Sequence, residues 1–215
     1  MSHEYSEDGM VEEATKEALT KLGWKVVTAW KKETFGKGGL LGRENKSEVI
    51  LTRELRHALV KLNPNLPDTA YQQAIDIITQ KTADKTLGKI NQEKYKLLKD
   101  GVPVKFTNSD NELEDRDLKI FDYQDYTNNS FLAVSQLEVV GDLYNRRPDI
   151  VGFVNGIPLV FFELKAHHQD LRHAYDDNFT DYKDTIPAIF HCNAFVILSN
   201  GTESKVGTVT SPYKY

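Results

Sequence analysis

A single cysteine, Cys192, stands among 215 residues, so no internal disulfide can staple the fold. A reducing cytoplasm suits such a chain. Long apolar runs are also missing. Nothing approaches the roughly 18 residues of a membrane span, so no membrane contact is expected. The first ten residues, MSHEYSEDGM, are polar and acidic, which excludes a secretory signal peptide. There is no internal repeat and no low-complexity tract. The glycine-rich stretch 36–45, GKGGLLGREN, lacks the Gly-Lys-Ser/Thr ending of a phosphate-cradling loop and is expected to be a mobile surface loop. A basic excess is absent too. Net charge is −5 and pI about 5.7, whereas a free-standing DNA binder carries a basic footprint for its phosphate contacts.

What remains is an ordinary globular composition, 40% hydrophobic and 27% charged, long enough for one core or one core plus a small subdomain. Charge is nonetheless uneven. Residues 81–105 hold seven lysines against Asp84, Glu93 and Asp100, and residues 110–125 hold seven acids against Arg116 and Lys119. Both blocks suit solvated faces; the lysine stretch also suits a border for DNA.

Helical spacing predicts a first helix through Val11, Ala14, Ala18, Leu19 and Leu22, capped by Ser6 or Asp8 and stopped at Gly23. Lys25 to Trp30 suits a short strand. Leu51, Leu55, Ala58, Leu59 and Leu62 mark a second helix ending at Asn63-Pro64. Asp68 caps a third, with Tyr71, Ala74, Ile75 and Ile78 on one face, and a fourth covers roughly 86–100. From residue 102 the pattern turns to strands at Val102–Phe106, Leu118–Tyr123, Phe131–Val139, Arg147–Val154 and Ile157–Lys165. A polar helical stretch at 170–184 and a strand at Phe195–Ser199 follow. The plan is α/β: one mixed β-sheet flanked by helices, a helical insertion at about 46–100, and a single domain over 1–215.

The chemistry concentrates in 147–165, RPDIVGFVNGIPLVFFELK. Two apolar strands flank Asn155-Gly156, a hairpin signal. Set into them are Asp149, Glu163 and Lys165, charges that are costly in core strands unless paired or bound to metal. Glu163 and Lys165 share one face, with Phe162 and Leu164 on the other. A two-residue turn pairing Val154 with Ile157 would put Asp149 opposite Phe162, on the wrong face. A three-residue loop pairing Phe153 with Ile157 would set it opposite Phe161, diagonal to Glu163. An odd-length loop or a bulge is therefore expected. Asp149, Glu163 and the backbone carbonyl of Leu164 can then hold Mg²⁺ with water positions open. Lys165 can orient an attacking water and stabilise the transition state. Without that register, Glu163–Lys165 is an ion pair on a half-exposed strand. His167, His168, His173 and His191 suit solvated or capping roles better than a zinc site.

With these residues in place, the chain resembles the PD-(D/E)xK nucleases, specifically the N-terminal nuclease region of the R (restriction) subunit of type I restriction-modification enzymes. The likeness runs through Val11-Glu12-Glu13, Leu22-Gly23-Trp24, Leu62-Asn63-Pro64, Gln136, Arg147-Pro148-Asp149-Ile150, Asn155-Gly156-Ile157-Pro158-Leu159 and Glu163-Leu164-Lys165. It continues through Tyr182, Ile186-Pro187 and Ser199-Asn200-Gly201. It implies a restriction-endonuclease-like sheet, with Asp149 and Glu163 as metal ligands and catalytic residues and Lys165 as the catalytic lysine. Glu12 matches the first-helix acid, although Glu13 leaves the register open. Asn178 and Tyr182 fall where the family carries a glutamine-x-x-x-tyrosine element implied in DNA engagement; here the amide is one methylene shorter.

The resemblance further implies a prokaryotic, cytoplasmic subunit whose ATP-driven motor domains lie beyond this chain, which is then a fragment. Its partners would be double-stranded DNA and the modification methylase and specificity subunits, with Mg²⁺ as cofactor and ATP used only by the motor. Weak DNA binding by the fragment alone follows from its acidity. A repair or recombination nuclease of the same fold, and a catalytically idle domain docking the motor onto the methylase core, are the competing readings.

Overall fold

The computed structural model describes residues 4–82 and 84–214. Helix α1 spans Glu4–Lys21, and the side chains of Ser6 and Asp8, expected as its caps, lie outside the described residues. Val11, Thr15 and Leu19, each four residues apart, form its inner face. The expected stripe through Ala14, Ala18 and Leu22 points outward instead: Leu22 falls past the last helical turn and is exposed. This rotation brings Glu12 inward and leaves Glu13 in solvent.

The main sheet has six strands in the order β1 (Lys25–Thr28), β4 (Phe131–Ser135), β7 (Ile150–Val154), β8 (Ile157–Leu164), β9 (Phe195–Ser199) and β10 (Ser204–Gly207). The β1–β4 and β8–β9 pairs are parallel and the others antiparallel, so the sheet is mixed, as expected. Ile150, Phe162 and Leu164 pack with Val11 and Leu19 on the α1 face. Val151, Phe153 and Phe161 belong to the larger core on the other face, with Phe179, Tyr182 and Phe190. Between β1 and β4 come helices α2 (Thr52–Leu62), α3 (Asp68–Thr79) and α4 (Leu87–Asp100) and the antiparallel pair β2 (Val102–Thr107) and β3 (Leu113–Leu118). Two-residue strands β5 (Val139–Val140) and β6 (Asn145–Arg146) pair beside the sheet.

The expected strand at 118–123 is displaced: β3 is built from the acidic stretch before it. Asn63 takes both the N–H and the carbonyl of Lys119, at 2.8 and 2.9 Å, and Asn155 donates to the carbonyl of Ile120 at 2.7 Å. Side-chain amides thus satisfy the backbone that a ladder would have used. The expected strand 131–139 is cut at Gln136, whose φ of 55° breaks the pleat. The glycine-rich loop is no mobile surface strip. Leu41 and Arg43 are buried, and Arg43 ties the loop to Glu33 and to the carbonyls of Lys46, Glu48 and Glu138. Helix α5 (Leu171–His173) continues as a π-helix (Ala174–Phe179) into α6 (Thr180–Thr185), closely matching the expected 170–184. Among the described residues no helix is long and apolar enough to cross a membrane.

Candidate active site

The hairpin resolves the register question differently from the three-residue loop. Val154 pairs with Ile157, so the turn has two residues, Asn155 and Gly156, both at positive φ as a primed turn requires. A Cβ on Gly156 would lie 2.4 Å from the carbonyl oxygen of Leu51, which glycine alone avoids. The odd count comes from a bulge: Phe153 pairs with Pro158 but Gly152 with Val160, leaving Leu159 extra on β8. From there Val151 faces Phe161 and Ile150 faces Phe162. Continued one step, the register sets Asp149 directly opposite Glu163, on one face.

Asp149 is the hub. Its Oδ2 accepts the N–H of Leu164 at 2.7 Å, and its backbone carbonyl accepts the N–H of Gln136 at 2.8 Å. The side-chain Nε2 of Gln136 donates to Glu12 Oε2 at 2.7 Å and reaches Asp149 Oδ1 at 3.4 Å. Glu12, from the opposite layer, thereby meets Asp149 through one amide. It is also held by Lys16 at 2.8 Å. Burial, reinforced by the nearby Glu12 charge, pushes the Asp149 carboxyl up to about 6, against the Leu164 N–H, Lys165 and Gln136, which favour ionisation.

Glu163 is 2% exposed, with Lys165 Nζ 3.4 Å from its Oε1. The Lys165 amine donates to Asn178 Oδ1 at 2.7 Å. Asn178 lies in the π-helix, whose extra residue per turn is a frequent mark of functional positions. Tyr182, one turn on, is 8% exposed, with its ring edge-on to Phe161 at 5.8 Å. Burial and the Glu163 charge hold its phenol well above the usual value. Asn178 and Tyr182 thus sit behind the lysine, one gripping its amine and the other filling the core beneath.

The available donors suit a hard cation: the carboxylates and a backbone carbonyl, all oxygen donors, around an acid that burial makes reluctant to ionise. The Lys165 N–H points to Ser199 on β9, so by strand alternation the N–H and carbonyl of Leu164 point the other way, toward Asp149. Among the described residues no group of three or more Asp, Glu, His or Cys side chains is arranged to hold a metal ion. His173 faces Asp177 at 3.0 Å, and burial pushes Cys192 up to about 12, far from a reactive thiolate.

The lysine-rich stretch lies elsewhere. Leu51 N–H donates to the carbonyl of Gly156, and Asn91 of α4 donates to the carbonyls of Phe190 and Asn193, so the helical block abuts the turn end of the hairpin. From Gly156 to Glu163 is on the order of 20 Å along the strand. Lys94 is buried and donates to the carbonyls of Ile77 and Ile78 at the end of α3, and Lys85 pairs with Glu93. Sequence reasoning named Gln136 without a role. Its signal would have been a polar residue ending an apolar strand, but the amide finds Glu12 only across 124 positions.

A sequence profile of the family "Type I restriction enzyme R protein N terminus" matches residues 4–215. The chain belongs to that family. This membership separates the restriction-subunit reading from the repair-nuclease alternative. Among relatives, the "Type I restriction enzyme HindI endonuclease subunit" of Haemophilus influenzae is 35% identical over 95% of this chain and 19% of its own length. The "Type I restriction enzyme SauCOLORF180P endonuclease subunit" of Staphylococcus aureus is 28% identical over 94% of this chain and 19% of its own length. The chain thus spans about a fifth of these relatives.

Proposed function

We propose that this family member is the Mg²⁺-dependent nuclease of a type I restriction enzyme R subunit, hydrolysing phosphodiester bonds of unmodified duplex DNA in the prokaryotic cytoplasm. The observation that supports it most is the Leu159 bulge, because only that register gathers Asp149, Glu163 and Lys165 at one end of the sheet. Asp149 and Glu163, with the Leu164 carbonyl, would hold the metal, and Glu12 would approach it from α1. When bound, Mg²⁺ supplies charge neutralisation at the phosphate and a more acidic water. Lys165, fixed by Asn178, orients the attacking water and donates to the charge that grows on the phosphate oxygens. Water attacks phosphorus, the leaving oxygen departs with a proton, and no covalent enzyme intermediate forms. Tyr182 contributes through the core beneath the lysine; DNA engagement falls to Asn178 only through the amine it holds.

ATP would be used by motor domains outside this chain, and a methylase and a specificity subunit would deliver the DNA. The decisive variant is Lys165→Ala in the full-length subunit. Cleavage should fall by at least about 10²-fold, the usual scale for one transition-state donor, while ATP hydrolysis and translocation persist. Cleavage at the parental rate would overturn the assignment. Calorimetric Mn²⁺ binding that Asp149→Ala abolishes would set the nuclease apart from an idle docking domain, which has no need of the ion.

A further inference from the structure

Two adjacent arginines precede Asp149, and their situations differ. Arg146 is neutralised by Asp181, with contacts of 2.5 and 3.0 Å. Arg147 is exposed, and its guanidinium lies over the ring of Trp30 at 3.9 Å. Among the described residues no carboxylate pairs with Arg147, Lys31 or Lys32. The neighbouring acid, Glu33, is fully engaged by buried Arg43. Lys31 also flanks the Trp30 ring, 5.7 Å from its centre, and the indole remains 40% exposed.

This group adjoins the carboxylates on two sides. Ala29, the residue before Trp30, donates its N–H to Ser135 at 2.9 Å, and Ser135 immediately precedes Gln136. Arg147 lies two residues before Asp149, at most about 7 Å along the chain. Pro148 between them is buried and disfavours a helical conformation at Arg147. Stacking on an indole fixes the plane of a guanidinium while leaving its N–H edge outward, the geometry that grips phosphate through two bonds. In a chain of net charge −5, two cations on one exposed indole, Arg147 and Lys31, with no carboxylate pairing them among the described residues and an acidic centre beside them, form a seat suited to an anionic ligand.

We propose that Arg147, seated on Trp30 and aided by Lys31, binds the DNA backbone phosphates next to the scissile bond. The proposal rests on the nuclease reading above. It assigns to this patch, not to the lysine-rich helix α4, the task of holding the strand while the carboxylates and Lys165 act.

The test is duplex-DNA binding by the 215-residue chain, followed by fluorescence anisotropy at low salt in chelator, so that nothing is cut. Arg147→Gln should weaken binding roughly tenfold and lower the slope of log affinity against log salt by about 0.9, one phosphate contact. Arg147→Lys should keep that slope with part of the affinity. Trp30→Ala should weaken binding severalfold and Trp30→Phe should restore it. Lys105→Gln, in the distant β2–β3 hairpin, should leave binding unchanged. Parental affinity in both Arg147→Gln and Trp30→Ala overturns the proposal, as does an equal loss in Lys105→Gln or no measurable binding by the parent chain. A thermal melt confirms that each variant is folded. Should Arg147→Gln weaken binding while Asp149→Ala in the full-length subunit still cleaves, the nuclease reading fails and the phosphate seat stands. Should cleavage be lost in Asp149→Ala while Arg147→Gln and Trp30→Ala both bind as the parent, the reverse holds.

Discussion

Two clusters of inward-facing charge among the described residues, around Arg43 and around Asp149, are built differently. Around Arg43 every donor has an acceptor: Glu33 takes two bonds at 2.6 and 2.7 Å, and three backbone carbonyls take the rest. The charges cancel, and the guanidinium pins an otherwise irregular loop. Around Asp149 the hydrogen bonds do not offset burial: Leu164 N–H, Gln136 and Lys165 favour ionisation, yet burial and the neighbouring Glu12 charge still push the carboxyl up to about 6. The difference teaches that burial alone does not mark a functional charge. A structural cluster closes its own hydrogen bonds and neutralises itself, whereas a buried carboxyl that its own partners leave reluctant to ionise is one that a bound cation would favour in its charged form.

The contrast breaks most visibly at Arg43. Arg43→Ala leaves Glu33 buried and uncompensated, and denaturant unfolding should show a loss of about 3–5 kcal/mol. A loss below about 1 kcal/mol would mean that the loop is not anchored by this pair. A smaller effect comes from pH. A divalent ion must compete with the proton on Asp149, so metal affinity should rise with pH through about 6 and level off above it. Each unit below that point should cost about tenfold, or roughly 1.4 kcal/mol. Affinity independent of pH between 5 and 7 would remove Asp149 from the ligand set.

The smallest effect has the opposite sign to that of Arg43. A carboxyl whose folded pKa is raised above 3.8 burdens the folded state fully above about 6, and the burden is relieved as pH falls toward the unfolded value. Asp149→Asn should therefore stabilise the metal-free chain at neutral pH by about 1 kcal/mol, raising its melting temperature by roughly 2–4 °C. The same variant should no longer bind metal. Destabilisation on this substitution would mean that Asp149 is a structural acid, like Glu33.

The hairpin shows how far the primary structure carries. Asn155-Gly156 announced the turn, and acid-x-lysine in an apolar strand announced the Glu163–Lys165 contact at its end, because both depend on residues adjacent in the chain. The helices of the insertion were legible for the same reason: Leu55, Ala58 and Leu59, and Tyr71, Ala74, Ile75 and Ile78, repeat at helical spacing and are all buried. The bulge was foreseen only as one of two ways to reach an odd count. Its place at Leu159 depends on Asn193 and Ala194, which bind the Leu159 carbonyl at 3.1 and 2.8 Å from more than thirty positions away. The acidic β3 strand was missed because its pairing partner, not its own weak strand preference, decides it.

By itself, then, the sequence determined the class of the sheet, the helical insertion, and the acids and lysine that belong together, since local spacing and side-chain chemistry specify these. Only the tertiary structure decided that Glu12 and not Glu13 turns inward, that Gln136 joins two acids, and that Asn178 holds Lys165. Each of these depends on the rotation of a helix or the register of a strand against a distant partner. A helix turns about 100° per residue, so the choice between two neighbouring acids rests on what Val11 and Leu19 pack against, and that surface exists only once the sheet has formed.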